Sequence, residues 1–268
     1  MKRLPVSGSS LAVSDIGDGP ILLCVHGFPL DHSMWRGLSS ELSDQCRVIA
    51  PDLRGFGANA AANCQVLTME GFADDLNELL DGLSVTQPIV LCGLSMGGYI
   101  AWQFWRRYGK RLAGLVLCDT RAAADRSEVA KGRHYLAERV LREGAAGATR
   151  EMVEKLFGAV SLDSRRSIVD ETLQVMATTS PATIAAALRG MAGRVDATSW
   201  LAEIDCPALL ICGEVDGITP PEEMEQVADA MPNATFHLVP AVGHLAPLEN
   251  PTSVNSAVRS FLTTLELS

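Results

Sequence analysis

No stretch of this 268-residue sequence approaches the roughly 18 unbroken apolar residues that a membrane-spanning helix needs, so no membrane span is expected. The N-terminal run MKRLPVSGSSLAVSDIGDG carries Lys2 and Arg3 but lacks the apolar stretch of a signal peptide. Cysteines at metal-ligand spacing are missing as well: the 7 cysteines are odd in number and none are spaced C-x-x-C. Cys24, Cys92, Cys118 and Cys212 sit inside apolar runs, where a free thiol packs as a small hydrophobe. Reduced thiols, no metal site and a cytoplasmic location are therefore expected. Positive charge is also short. Lys and Arg total 22 against 32 Asp and Glu, giving a formal net charge of −10. Nucleic acid and anionic membrane surfaces would be repelled on average. The densest basic run, Arg106, Arg107, Lys110 and Arg111, is short and reads as the solvated end of a helix.

What is present is ordinary globular composition, 47% hydrophobic and 20% charged, in a length that suits one large α/β domain with an insertion. Apolar runs at 21–25, 47–52, 88–93, 114–119, 208–213 and 235–240 are continuous rather than alternating, which predicts parallel strands buried on both faces. Amphipathic stretches lie between them. In 69–83, Phe72, Leu76, Leu79 and Leu80 form one stripe with acids opposite, and 97–112 reads as a second helix. Strand–helix alternation of this kind predicts a doubly wound, mostly parallel sheet that binds ligands beyond the carboxyl ends of its strands. An N-terminal hairpin, at about 11–16, is expected before it.

The alternation breaks between about Arg121 and Trp200, where no strand-like run occurs. The stretch is too long for an ordinary crossover, so a helical cap over the sheet is expected after the sixth strand. This divides the chain into a core, 1–120 and 201–268, and a cap, 121–200. Met152, Leu156, Phe157, Met176 and Met191 stand at positions that could face inward.

Gly93-Leu94-Ser95-Met96-Gly97 directly follows the strand PIVLC and runs into a helix. A G-x-S-x-G turn between strand and helix holds its serine in a strained conformation and lifts the hydroxyl above the sheet. The helix N-terminus behind it offers positive potential to an anion. Ser95 is thus the candidate nucleophile. Its hydroxyl needs a base. Of five histidines, His32 lies in a polar turn, His134 in a helix of the insertion and His237 within the last strand. His26 suits a loop-ordering role. His244, in VGHLAPLENP after the final strand, is the candidate base. Asp216, in GEVDGITP after the strand ALLIC, follows the serine and precedes the histidine, as the orienting acid should. Glu214 is its neighbour, Asp119 at the end of GLVLCD is the rival, and Asp52 is expected to brace its own turn. The developing oxyanion needs two donors, worth on the order of 3 kcal/mol each. The backbone N–H groups of Met96 and Phe28 are the candidates. Gly27 would let the backbone approach closely, and Trp35, Leu94 and the side chains of Phe28 and Met96 are expected at the substrate.

Five segments in this order, HGFPLD, PDLRGFG, GLSMGGYIA, GEVDGITP and GHLAPLENP, make the chain resemble the α/β-hydrolase superfamily over nearly its whole length. Within it the chain is similar to small bacterial carboxylesterases and 3-oxoadipate enol-lactonases. The resemblance implies the α/β-hydrolase fold, acyl-serine chemistry on a small-molecule ester or lactone, and no cofactor. A serine at 95 argues against the dehalogenases and epoxide hydrolases of this fold, which use aspartate there, and Leu94 stands where carbon–carbon-bond hydrolases often have Asn. Perhydrolase or haloperoxidase behaviour would be a side activity. A lactonase acting on an anion would want a cation in the pocket, for which Arg121 is a candidate. A lyase of the hydroxynitrile type would want a cation over the site, and Lys131 and Lys155 are the lysines of the cap. The sequence leaves the oligomeric state open.

Overall fold

A computed structural model describes residues 1–59 and 63–265. Among them eight strands form one sheet: β1 (Lys2–Val6), β2 (Ser9–Ile16), β3 (Ile21–Val25), β4 (Arg47–Pro51), β5 (Ile89–Leu94), β6 (Leu112–Cys118), β7 (Ala208–Gly213) and β8 (Ala234–Val239). Their order is β1-β2-β4-β3-β5-β6-β7-β8. β1 and β2 form an antiparallel hairpin, β2 lies antiparallel to β4, and the remaining neighbours are parallel. The fold is therefore the α/β-hydrolase architecture that the motifs implied.

The helices are α1 (Arg36–Leu42), α2 (Met69–Gly82), α3 (Met96–Tyr108), α4 (Ser127–Glu143), α5 (Ala146–Leu156), α6 (Ala159–Ser164), α7 (Arg166–Thr178), α8 (Pro181–Ala192), α9 (Pro221–Asp229), α10 (Ala246–Glu249) and α11 (Pro251–Thr264). None of the described helices is long and apolar enough to cross a membrane. The pleat assigns side chains to two cores. Ile21, Leu23, Val25, Ile89, Leu91, Leu115 and Leu117 pack with Phe72 and Leu76 of α2 and Ile100 and Phe104 of α3. The alternate residues Leu22, Cys24, Val90, Cys92, Leu94, Val116 and Cys118 pack with Leu38 of α1 and Val254 and Val258 of α11. Period-two alternation against helices on both faces explains why these strands read as continuous apolar runs.

Two expectations need correction. The hairpin starts at Lys2, not near Leu11, because β1 is a mostly exposed edge strand with a proline, too polar to register as apolar. β8 is not buried on both faces. It is the opposite edge, with only Val239 fully buried.

Strand order reverses at β3, whose neighbours are β4 and β5. Loops leaving β3 and β5 therefore diverge, and the crevice between them is where a doubly wound sheet binds ligands. The insertion after β6 is helical, α4 to α8, as expected.

Candidate active site

Ser95 sits in that crevice, between β5 and α3, with φ 52° and ψ −110°. A non-glycine residue there carries strain of about 1–3 kcal/mol, which surrounding structure must impose. The imposition is visible. The Ser95 N–H donates to the Cys118 carbonyl at 2.9 Å, and the Thr120 hydroxyl donates to the Ser95 carbonyl at 2.8 Å. The flanking glycines are sterically required: a Cβ at Gly93 would strike the backbone of Gly97, and one at Gly97 would strike the Val25 carbonyl.

The structure brings Ser95, His244 and Asp216 into one relay. The Ser95 hydroxyl donates to His244 Nε2 at 2.8 Å, and His244 Nδ1–H donates to Asp216 Oδ2 at 2.7 Å. The other Asp216 oxygen accepts from the N–H groups of Ile218 at 2.7 Å and Thr219 at 3.0 Å, which fixes the carboxylate on its turn. His244 is nearly fully buried, and a low local dielectric strengthens both of its ring hydrogen bonds. Such a relay can take a proton from the serine hydroxyl while the carboxylate holds the imidazole's tautomer.

Asp119 is the rival that geometry sets aside. Its Oδ1 accepts the Gly213 N–H at 2.8 Å, and it does not bond His244. Burial, together with the neighbouring Asp216 charge, pushes its carboxyl well above the usual carboxylate range. Asp52 braces its turn, as expected: it accepts from His32 Nδ1 at 2.6 Å and from the Ala58 N–H at 2.7 Å. Burial lowers the His26 imidazole below its usual pKa, and its Nε2 accepts the Leu53 N–H at 3.0 Å while Nδ1 donates to the Gly27 carbonyl at 2.9 Å. The His26 ring thereby sets the loop that carries Phe28. His134 is exposed on α4, and His237 bonds Ser253 at 3.0 Å within β8.

Phe28 N–H makes no hydrogen bond among the described residues, and Met96 N–H is at the first position of α3, where no intrahelical acceptor exists. Met96 follows Ser95 in the chain, and Phe28 lines the same cavity as Ser95. The cavity over Ser95, about 390 Å³, is lined by Phe28, Tyr99, Ile218 and His244 from the core and by Val129, Arg133, Leu136, Met152, Leu156, Leu188 and Met191 from the insertion.

The expected substrate contacts of Trp35, Leu94, Gly27 and the Met96 side chain are corrected by this geometry. Leu94 continues the β5 pleat into the second core and presses its Cδ2 against Gly27, so both are covered. Trp35 is wholly buried in the same core beside α1, and Met96 is wholly buried on the opposite face. Met152, Leu156 and Met191 do line the cavity, whereas Phe157 and Met176 pack into the second core. Arg121 is not at the cavity. It bonds the Ile218 carbonyl and pairs with Glu223 at 3.2 Å. Lys131 and Lys155 are exposed, outside the cavity lining.

Two positions around the candidate site escaped the sequence reading. One is Glu249, fully buried, whose carboxyl oxygens accept the N–H groups of Gly243 at 2.7 Å and Gly158 at 2.9 Å. It ties the His244 loop to the insertion. The signal available was a glutamate five residues after the histidine in an otherwise apolar segment. The other is Arg133. On α4, Val129, Gly132, Arg133 and Leu136 recur at helical spacing and all face the cavity.

Comparison with known proteins gives the same architecture and adds names. An esterase from Thermogutta terrifontis, solved with malate bound, superposes with a TM-score of 0.95 at 43% identity over 98% of this chain and 99% of that one. The 3-oxoadipate enol-lactonase 1 of Acinetobacter baylyi is 24% identical over 97% of this chain and 95% of its own. A Bacillus subtilis protein with the provisional name 2-succinyl-6-hydroxy-2,4-cyclohexadiene-1-carboxylate synthase is 29% identical over 96% of each chain. Residues 20–251 match the model of the alpha/beta hydrolase fold family. The chain belongs to that family.

Proposed function

We propose that the protein hydrolyses small carboxylic esters through an acyl-enzyme on Ser95, with His244 as base and Asp216 as the acid that orients it. The observation that carries this reading is the continuous Ser95–His244–Asp216 hydrogen-bond chain opening into an apolar cavity. Ser95 Oγ attacks the ester carbonyl and its proton passes to His244 Nε2. The oxyanion takes hydrogen bonds from the N–H groups of Met96 and Phe28. His244 then protonates the departing alcohol, the acyl group stays on Oγ, and a water activated by the same imidazole releases the acid. Asp216 remains a carboxylate throughout and stabilises the imidazolium.

The esterase named among the relatives supports the ester reading, and the enol-lactonase supports the same chemistry with the leaving oxygen tethered to the acyl group. Neither cap lysine reaches the cavity lining, so neither Lys131 nor Lys155 stands where a proton-transfer lyase would want a lysine. Acyl partitioning tests the covalent step. With methanol present, phenyl butyrate and p-nitrophenyl butyrate should give one and the same ratio of butyrate to methyl butyrate, since both pass through a single butyryl-enzyme. A ratio that follows the leaving group would contradict the acyl-serine.

A further inference from the structure

Helix α4 carries a glycine that the fold does not require. Gly132 lies inside this 17-residue helix, where glycine costs backbone entropy and stability relative to alanine. Crowding is not the reason. Beyond its chain neighbours and its own helix backbone, a Cβ at Gly132 would meet no atom within 4 Å among the described residues. Backbone conformation is not the reason either, since Gly132 is not one of the glycines with positive φ. Its place is what sets Gly132 apart: it is exposed to solvent and also lines the cavity over Ser95. A helical wall without a side chain at that point leaves a gap between cavity and solvent.

The rest of the lining agrees on where the cavity opens. Val129, the cavity-facing residue before Gly132 on α4, is 44% exposed. Leu188 and Met191 of α8 are nearly fully buried, as is Tyr99 of α3. The cavity is thus closed at α8 and open along the first half of α4.

Helical geometry also decides which arm of an ester the gap serves. Successive residues turn by about 100° around a helix. Arg133 meets the Met191 sulfur of α8 at 3.6 Å, so Gly132 is turned away from that contact. Arg139, about two turns further along, shares the Gly132 face and donates to Glu151 of α5 at 2.7 Å. Gly132 therefore looks to the α5 side. Helix α5 ends at Leu156, whose carbonyl accepts the His244 N–H at 2.9 Å. His244 is the group that protonates the departing alcohol in the reaction above, so the alcohol arm belongs on this flank.

We propose that Gly132 determines specificity for the alcohol side of the ester. Its missing side chain is the exit through which a long alcohol arm leaves the cavity, while the acyl arm is enclosed against α8. The substrate class is then an ester of a small acid whose alcohol can extend beyond the cavity. This rests on the ester-hydrolase reading and specifies its leaving group.

Three variants and three esters test it. Gly132→Ala should raise Tm by about 1–4 °C, because the helix gains a better former in open space. A lower Tm would show that the fold needs the glycine and would overturn the inference. Gly132→Leu and Gly132→Phe close the gap. Acid release is titrated with methyl butyrate, with hexyl butyrate for a long alcohol arm, and with methyl octanoate for a long acyl arm. In Gly132→Phe the kcat/KM ratio of hexyl to methyl butyrate should fall at least about tenfold, and in Gly132→Leu by less. The ratio of methyl octanoate to methyl butyrate should stay within about threefold of wild type in both. Any general loss of active enzyme cancels in these ratios. An alcohol-arm ratio within about threefold of wild type in both variants, or an acyl-arm ratio that falls as far, would overturn the inference. A wild type that hydrolysed none of the three esters would instead overturn the hydrolase reading itself.

Discussion

Ser95→Ala should lower kcat/KM for p-nitrophenyl butyrate by at least about 10³ while leaving the fold intact. The argument is local. Removing one oxygen deletes the atom that would form the acyl bond, yet the turn that presents it is fixed elsewhere, by the Cys118 and Thr120 hydrogen bonds and by glycines 93 and 97. Alanine has the same backbone limits as serine at φ 52°, so strain is unchanged. The two N–H donors near Ser95 remain, and some residual rate over water is expected from them. Initial rates, with thermal melting of both proteins as the check on folding, read the effect. Undiminished turnover in a folded mutant would refute Ser95 as the nucleophile.

The second large effect separates two carboxyls that share one buried neighbourhood. Asp216→Asn should cost about 10³ to 10⁴ in kcat, because an amide can present the wrong group to His244 Nδ1 and carries no charge to stabilise an imidazolium. Asp119→Asn should cost no more than about tenfold. Burial and the Asp216 charge already favour the neutral form of Asp119, and asparagine reproduces that neutral group together with the acceptor for the Gly213 N–H. Measuring kcat for both variants at one pH decides the matter. Should the Asp119 variant lose more, the acid assignment would move to that residue.

The sequence reading reached the site where chemistry imposes a pattern on local residues. The G-x-S-x-G turn is one such pattern, since backbone crowding at Gly93 and Gly97 leaves no other residue acceptable. The loop positions of Asp216 and His244 are another, because both must end at the carboxyl edge of the sheet. Reading failed where position depends on pleat phase or on packing between distant segments. Leu94 adjoins Ser95 in sequence, but one step along a strand reverses the side chain, and it points into the core beneath α11. Trp35 follows the Phe28 loop closely, yet the chain turns away and buries it beside α1. Arg133 lies on a helix rich in other exposed charges, so its place on the cavity stripe emerges only when α4 is set against α8. Glu249 likewise reads as a surface acid until the insertion brings Gly158 to it.

A p-nitrophenyl phosphonate tests the central claim most directly, since its tetrahedral phosphorus stays bonded to whichever hydroxyl attacks it. One p-nitrophenolate should be released per chain, and peptide mass spectrometry should find the phosphonyl group on Ser95, with labelling much slower in His244→Ala. An adduct on another residue, or ester turnover that persists in unlabelled Ser95 protein after full exposure, would contradict the account.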